Sequence, residues 1–203
     1  MKNIMILILI CVFLTLPSLS FCRGTTGNIN LLFGRKQIND SRLEKSGLGN
    51  SAEFGVLIDI KGNKRWPASI EINAFTSNAE EILDNTIYGD NIKVSWSTDE
   101  FGVGLRKYLD QQETVGPFLG AGIAWIHGVF EENDNFNKHT NIKSGSALAP
   151  WANIGLMFKG SGINFGINIR QSFGKVNLKG TVIDNKVKAG GTHTGFFFGI
   201  SFD

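Results

Sequence analysis

Apolar and polar positions alternate with a period of two over most of the chain, the pattern of strands with one apolar face. In 51–60, SAEFGVLIDI, one face holds Phe54, Val56, Ile58 and Ile60; the other holds Glu53, Gly55, Leu57 and Asp59. In 163–174, Ile163, Phe165, Ile167 and Ile169 oppose Asn164, Gly166, Asn168 and Arg170. The last segment, THTGFFFGISF, sets Thr194, Phe196, Phe198, Ile200 and Phe202 against His193, Gly195, Gly199 and Ser201, with Phe197 breaking the polar side. Segments 28–37, 68–77, 92–109, 117–130 and 147–159 repeat the pattern less cleanly, giving eight in all. Each holds about ten residues or more, and a tilted membrane-crossing strand needs about 9–11. Within 92–109 the apolar parity changes between Trp96 and Phe101, which predicts a β-bulge near Ser97 to Glu100.

The connections alternate in length. Those at 38–50, 78–91, 131–146 and 175–190 hold 13, 14, 16 and 16 residues, and those at 61–67, 110–116 and 160–162 hold 7, 7 and 3. Up-and-down antiparallel strands put every second connection at the same end. Short turns at one end and long loops at the other are the layout of an outer-membrane barrel. Glycine decides which face points inward: Gly55, Gly102, Gly104, Gly155, Gly166, Gly195 and Gly199 all lie on the polar face. A closed eight-stranded barrel has little interior room, so the polar, glycine-bearing face belongs inside and the Phe and Ile face meets lipid. The expected fold class is therefore all-β, an eight-stranded antiparallel up-and-down transmembrane β-barrel preceded by a signal peptide. The alternative is a soluble lipocalin-like barrel with an apolar interior.

Composition and charge narrow the classes further. The net charge is +2, with 20 basic against 18 acidic residues, so no nucleic-acid footprint is visible. Residues 1–22 pair Lys2 with the apolar run Ile4–Leu16, followed by Pro17, Ser18 and Ser20. That is a secretory signal peptide, the run being too short for a spanning helix. Cleavage after Ser20 or after Cys22 both fit, with lipidation of Cys22 a minor alternative. Domain organisation is then a leader at 1–22 and a barrel at 23–203. Cys11 lies in the leader and Cys22 at its edge, so the mature chain has no internal disulfide and no paired-thiolate metal site.

The stretch FGVGLRKYL, a turn, and GPFLGAGIAW resemble the central hairpin of small OmpA/OmpX-type outer-membrane barrels. The ending GFFFGISF is similar to the terminal-strand signal read by the outer-membrane assembly machinery, although Asp203 makes the aromatic penultimate. The resemblance implies an outer-membrane location in a Gram-negative bacterium. The partners it implies are outer-membrane lipid and, during insertion, that machinery.

Five ionisable residues fall on the inward face: Glu53, Asp59, Glu71, Arg106 and Arg170. Inside a narrow barrel such charges must pair, so a lumen ion-pair network is expected, with a gated proton or ion path as the sharper reading. Trp66, Trp96, Trp125 and Trp151, with Tyr88 and Tyr108, stand near segment ends, where interfacial aromatic belts lie. Trp66 sits in KGNKRWP beside Lys61, Lys64 and Arg65, read as solvated turn charges. Gly102-x-Gly104 and Gly120-x-Gly122 lack a following helix, so dinucleotide binding is dismissed.

No catalytic, cofactor-binding or metal-binding residue is assigned, and no cofactor is expected. Small barrels that deacylate lipid A need a His–Ser pair with an orienting acid on the outward face. His127 lies on the face of Trp125 and Val129, but no serine is beside it in sequence, and Ser95, Ser97 and Ser172 are guesses. His139 falls in a long loop and His193 at the lumen or rim. The expected function is structural or surface interaction through the long loops, whose ligand the sequence does not reveal. A lipid-modifying barrel enzyme is the alternative, and a solute conduit ranks last because side chains fill an eight-stranded interior.

Overall fold

The computed structural model describes residues 25–63, 65–85, 90–109, 114–134, 139–178 and 186–202; the leader, Lys64, Tyr88 and Asp203 fall outside them, as does the side chain of His139. The barrel strands are β1 (Thr26–Gln37), β2 (Asn50–Lys61), β3 (Ser69–Asn85), β4 (Asp90–Tyr108), β5 (Val115–Asp134), β6 (His139–Lys159), β7 (Ile163–Ser172) and β10 (Thr192–Phe202). A short helix α1 (Ser41–Lys45) follows β1, and the small strands β8 (Lys175–Asn177) and β9 (Lys186–Lys188) pair with each other between β7 and β10. The eight long strands close in the order β1-β10-β7-β6-β5-β4-β3-β2, every pair antiparallel. Closure leaves no edge strand with unpaired amides, the condition for strands to cross lipid.

Alternation sorts the side chains between lipid and lumen. On the outside, Phe101, Val103, Leu105, Leu119, Ile123, Ile154, Phe165, Phe196 and Phe198 stand exposed around the sheet. Exposure of so many large apolar residues on one continuous band is stable only against an apolar solvent. Inside, Leu32, Leu57, Phe75, Tyr108, Phe118, Met157 and Phe197 form one buried cluster. The glycines make room for these rings: a Cβ on Gly122 would come within 2.8 Å of the Trp151 ring, and the ring of Phe118 lies directly against Gly155.

Two expectations are corrected. The described parts of segments 78–91 and 131–146 are strand rather than loop: β3 and β4 remain paired to Asn85 and Asp90, and β5 and β6 to Asp134 and His139. These hairpins continue past the apolar belt, where an outward face in water has no need of apolar residues, so their polarity reads as loop. Nor is there a bulge near Ser97 to Glu100. The register of β4 against β3 and β5 is unbroken from Trp96, opposite Ala79 and Phe130, to Phe101, opposite Ala74 and Trp125. What changes at that height is the environment.

Above the belt the inward face turns apolar. Ile38, Leu43, Leu48, Val94, Trp96, Ile126, Trp151, Val176 and Val187 pack into a second core that closes the end of the barrel carrying the hairpin tips. α1 and the β8–β9 ribbon form its roof. Asp40 caps α1, its side chain accepting from the Arg42 amide at 3.1 Å and from the Lys188 amide at 3.0 Å. Gly47, just past the cap residue Ser46, turns the chain out of the helix with a φ of +73°, the left-handed conformation that glycine adopts without strain. The turns at the opposite end, between β2 and β3, β4 and β5, and β6 and β7, are short, and both ends of the barrel sheet lie there.

Candidate functional site

Two polar layers cross the lumen, separated by the aromatic cluster around Phe75, Phe118 and Phe197. In the lower layer Arg106 donates from Nε to Glu71 Oε2 at 2.8 Å and approaches Asp59 Oδ2 with Nη1 at 3.4 Å. Asp59 also accepts from Tyr108 Oη at 2.9 Å and from Asn28 Nδ2 at 3.0 Å, and Glu71 accepts from Asn73 and Asn153. The guanidinium rests on the Phe118 ring, 4.3 Å from its centroid. Every one of these side chains is buried, which is tolerable because each charge meets an opposite charge and further donors or acceptors.

The upper layer is centred on Glu100. Lys36 Nζ donates to Glu100 Oε1 and Thr98 Oγ1, both at 2.7 Å, and to the Ala189 carbonyl at 2.6 Å. Arg170 Nη2 approaches Glu100 Oε2 at 3.2 Å and the guanidinium stacks over Phe75 and Trp151. His193 bridges two acids, with Nδ1 against Glu53 and Nε2 3.2 Å from Glu100 and 3.0 Å from Ser172 Oγ. The five lumen residues named from sequence thus all lie inside, divided between the two layers. Arg106 meets Asp59 and Glu71; Arg170 meets Glu100.

The sequence reading missed Lys36, Glu100 and the bridging role of His193. Parity would have found Lys36, which is even-numbered on β1 like Asn30 and Gly34. Glu100 was hidden by the expected bulge. The aromatic belt needs correction: Trp96 and Trp151 are buried in the cap core, their rings excluded from any headgroup. Trp66 is exposed on the short turn after β2, and Trp125 faces outward on β5.

At the upper edge of the belt a polar row crosses four strands. Thr76, Asp99, His127 and Ser146 are consecutive cross-strand partners on β3, β4, β5 and β6. Thr76 Oγ1 donates to Asp99 Oδ1 at 2.9 Å, and His127 Nδ1 lies 2.8 Å from Ser146 Oγ. The Trp125 ring stacks on His127 at 5.6 Å, the planes 6° apart. The serine that sequence proximity could not supply is therefore delivered by the β5–β6 register. Of the other serines considered, Ser95 stands across from Glu80 and Glu131, Ser97 bonds Asn78 and Ser172 lies in the lumen.

At the other end a recess of about 250 Å³ is lined by Asn28, Asp59, Lys61, Tyr108, Lys159 and Ser201. It stops at the lower ion-pair layer. Among the described residues no cluster of His, Cys, Asp and Glu has the arrangement of a metal site.

A closed sheet with a polar filling and a lipid-facing belt defines an eight-stranded β-barrel of the bacterial outer membrane. No protein-family model matches the sequence, and no curated protein is similar to it. Solved structures share the fold. Ail, the attachment invasion locus protein of Yersinia pestis, in complex with the heparin analogue sucrose octasulfate, superposes with a TM-score of 0.57 at 13% identity, over 88% of this chain and 99% of that one. Neisserial surface protein A gives a TM-score of 0.53 at 11% identity, over 88% and 97%. The N-terminal β-barrel domain of Pseudomonas aeruginosa OprF gives 0.50 at 8%, over 87% and 97%. At such identities the likeness concerns architecture.

Proposed function

We propose that the protein is a non-conducting barrel in the outer membrane of a Gram-negative bacterium, acting through its external cap on a partner outside the cell. The observation that carries this reading is the sealed interior: two ion-pair layers, an aromatic layer between them and an apolar core above. Among the described residues the lumen is filled at each of these levels, so the molecule offers its outer surface rather than a route across.

That surface has a distinct chemistry on the β8–β9 ribbon. Val176 and Val187 point into the cap, so Lys175, Lys186 and Lys188 point out. Lys175 stands directly opposite Lys188, and like charges facing each other across strands oppose pairing. An anionic partner would relieve that repulsion. Ail, a barrel of this architecture, was solved with a sulfated sugar, which makes sulfated glycan the natural first probe here.

The test pairs two measurements on the refolded full chain. In planar bilayers the protein should give no stable conductance steps. On a sulfated-glycan matrix it should be retained at low salt, and Lys175→Gln/Lys186→Gln/Lys188→Gln should elute earlier while keeping heat-modifiable migration. Stable channels would overturn the sealed-barrel reading. Unchanged retention of the triple variant would overturn the ribbon as the contact surface.

A further inference from the structure

The outward row holds one pair with chemistry of its own, independent of the cap. Ser146 Oγ and His127 Nδ1 are within hydrogen-bond distance at 2.8 Å. Trp125 stacks on the imidazole and fixes its plane. Asp99 is the direct cross-strand neighbour of His127 on its other side, with Cβ atoms of such pairs about 5 Å apart. Its Oδ1 accepts from Thr76 Oγ1 at 2.9 Å, which fixes a carboxylate in the row beside the imidazole. Acid, base and hydroxyl come from three strands and stand in one row.

Height gives the row its meaning. One position below, the same faces carry Phe101, Trp125 and Leu148, all exposed and part of the lipid-facing belt. One position above, they carry Ser97, Val129 and Ser144, and Glu131 follows on β5. The pair therefore lies at the boundary between acyl chains and headgroups. Carboxylic ester linkages of membrane lipids lie at that boundary.

We propose that Ser146 and His127 form an ester-cleaving site for acylated lipids of the outer leaflet, with Asp99 as a positioning residue. His127 Nδ1 takes the Ser146 hydroxyl proton as Oγ bonds to the ester carbonyl carbon. The adduct collapses by breaking the bond to the alkoxy oxygen. That oxygen takes the proton from the imidazolium, releasing the lipid alcohol and leaving an acyl group on Ser146. Water, giving a proton to His127, then attacks the acyl carbon, and Ser146 Oγ leaves with that proton. The balance is ester plus water to carboxylic acid plus alcohol. Asp99 is the strand neighbour of the imidazole that carries the proton in both halves. The strand amides here are committed to the sheet ladder, and each missing oxyanion donor is worth about 10²–10³ in rate. Turnover is therefore slow, and covalent capture is the more sensitive readout.

The test uses the full chain in vesicles of phospholipid and lipopolysaccharide. A fluorophosphonate probe should label Ser146, located by peptide mass spectrometry, and free fatty acid should accumulate. Ser146→Ala should abolish both, and His127→Gln should lower both by about a hundredfold, with heat-modifiable migration retained. Ser144→Ala, one outward position higher on β6, should behave as wild type. Asp99→Asn should reduce the rate, and the conservative Asp99→Glu should restore most of it. Folded wild-type protein that neither labels nor releases fatty acid would overturn the proposal, as would fatty-acid release by Ser146→Ala at the wild-type rate. If Ser146→Ala fails to fold, His127→Gln decides: loss of labelling supports the site and wild-type labelling overturns it.

Discussion

Strand β4 runs through two environments, and its side chains invert between them. From Phe101 to Leu105 the outward residues are apolar and the inward ones are Gly102 and Gly104, ending at the buried Arg106. From Val94 to Trp96 the inward residues are apolar, while Ser95 and Ser97 face out. Backbone geometry and parity are the same throughout. In the membrane-crossing part the apolar solvent is outside and the narrow lumen holds paired charges. In the cap the solvent is water, and apolar residues retreat inward as in any soluble protein. One strand obeys two opposite rules because burial is defined by the surrounding solvent.

The sharpest way to break the contrast is to remove one charge from the lumen. Arg106→Leu leaves Glu71 and Asp59 without their cation and should destabilise the barrel by about 3–5 kcal/mol, read as a lower urea midpoint in refolding. Replacing Glu71 by Gln in the same background should restore part of it, since one stranded charge is then removed.

Trp96→Ala attacks the cap instead. Truncating a buried tryptophan typically costs about 3–5 kcal/mol, but here the loss should stay local. Hydrogen exchange should speed up in α1, in the ribbon and at the hairpin tips while strand amides at the level of Val103 remain protected. Equal loss of protection in both regions would mean that cap and barrel form one cooperative unit.

A third comparison puts one substitution at two heights of the same face. Val103→Arg, in the belt, should cost about 2–4 kcal/mol, the range for a cation facing mid-bilayer. Ser95→Arg, eight residues earlier and also outward, should stay within about 0.5 kcal/mol. Its cross-strand neighbours are Glu80 and Glu131. Similar costs at both sites would erase the boundary drawn between them.

The smallest effect concerns the roof. Partial burial pushes the Asp40 pKa up, but hydrogen bonds from the Arg42 side chain and from the amides of Lys188 and Arg42, with the Arg42 charge, outweigh it. The result is about 2 against an ordinary 3.8. Because the folded value is depressed, the contribution of Asp40 is complete above about pH 4 and lost as pH falls toward 2. Exchange of the Lys188 amide should accelerate across that window, and Asp40→Ala should remove the dependence with a loss of about 1 kcal/mol.

How much of this was legible beforehand varies with the neighbourhood of each residue. Where lipid lies on one side, period-two alternation named the outward residues, and the complementary parity put Glu53, Asp59, Glu71, Arg106 and Arg170 in the lumen. The hairpin extensions 78–91 and 131–146 read as loops because both of their faces tolerate polar residues. Trp96 and Trp151 read as belt residues because they stand near the ends of apolar runs, as belt residues do. Nothing local distinguishes a tryptophan facing headgroups from one folded under a roof.

Strand period, the face that meets lipid and the side of the sheet on which charges gather can all be read along the chain. These follow from each residue's own chemistry and its parity, which are local properties. Which charges meet depends on how the closed sheet brings its strands together. Arg170 finds Glu100 rather than Glu53, and Lys36 and His193 join them, because strand register and the crossing of side chains in the lumen are set by closure of the sheet. The same holds for His127 and Ser146, 19 positions apart in sequence and 2.8 Å apart in space. Antiparallel pairing fixes distance between strands independently of distance along the chain.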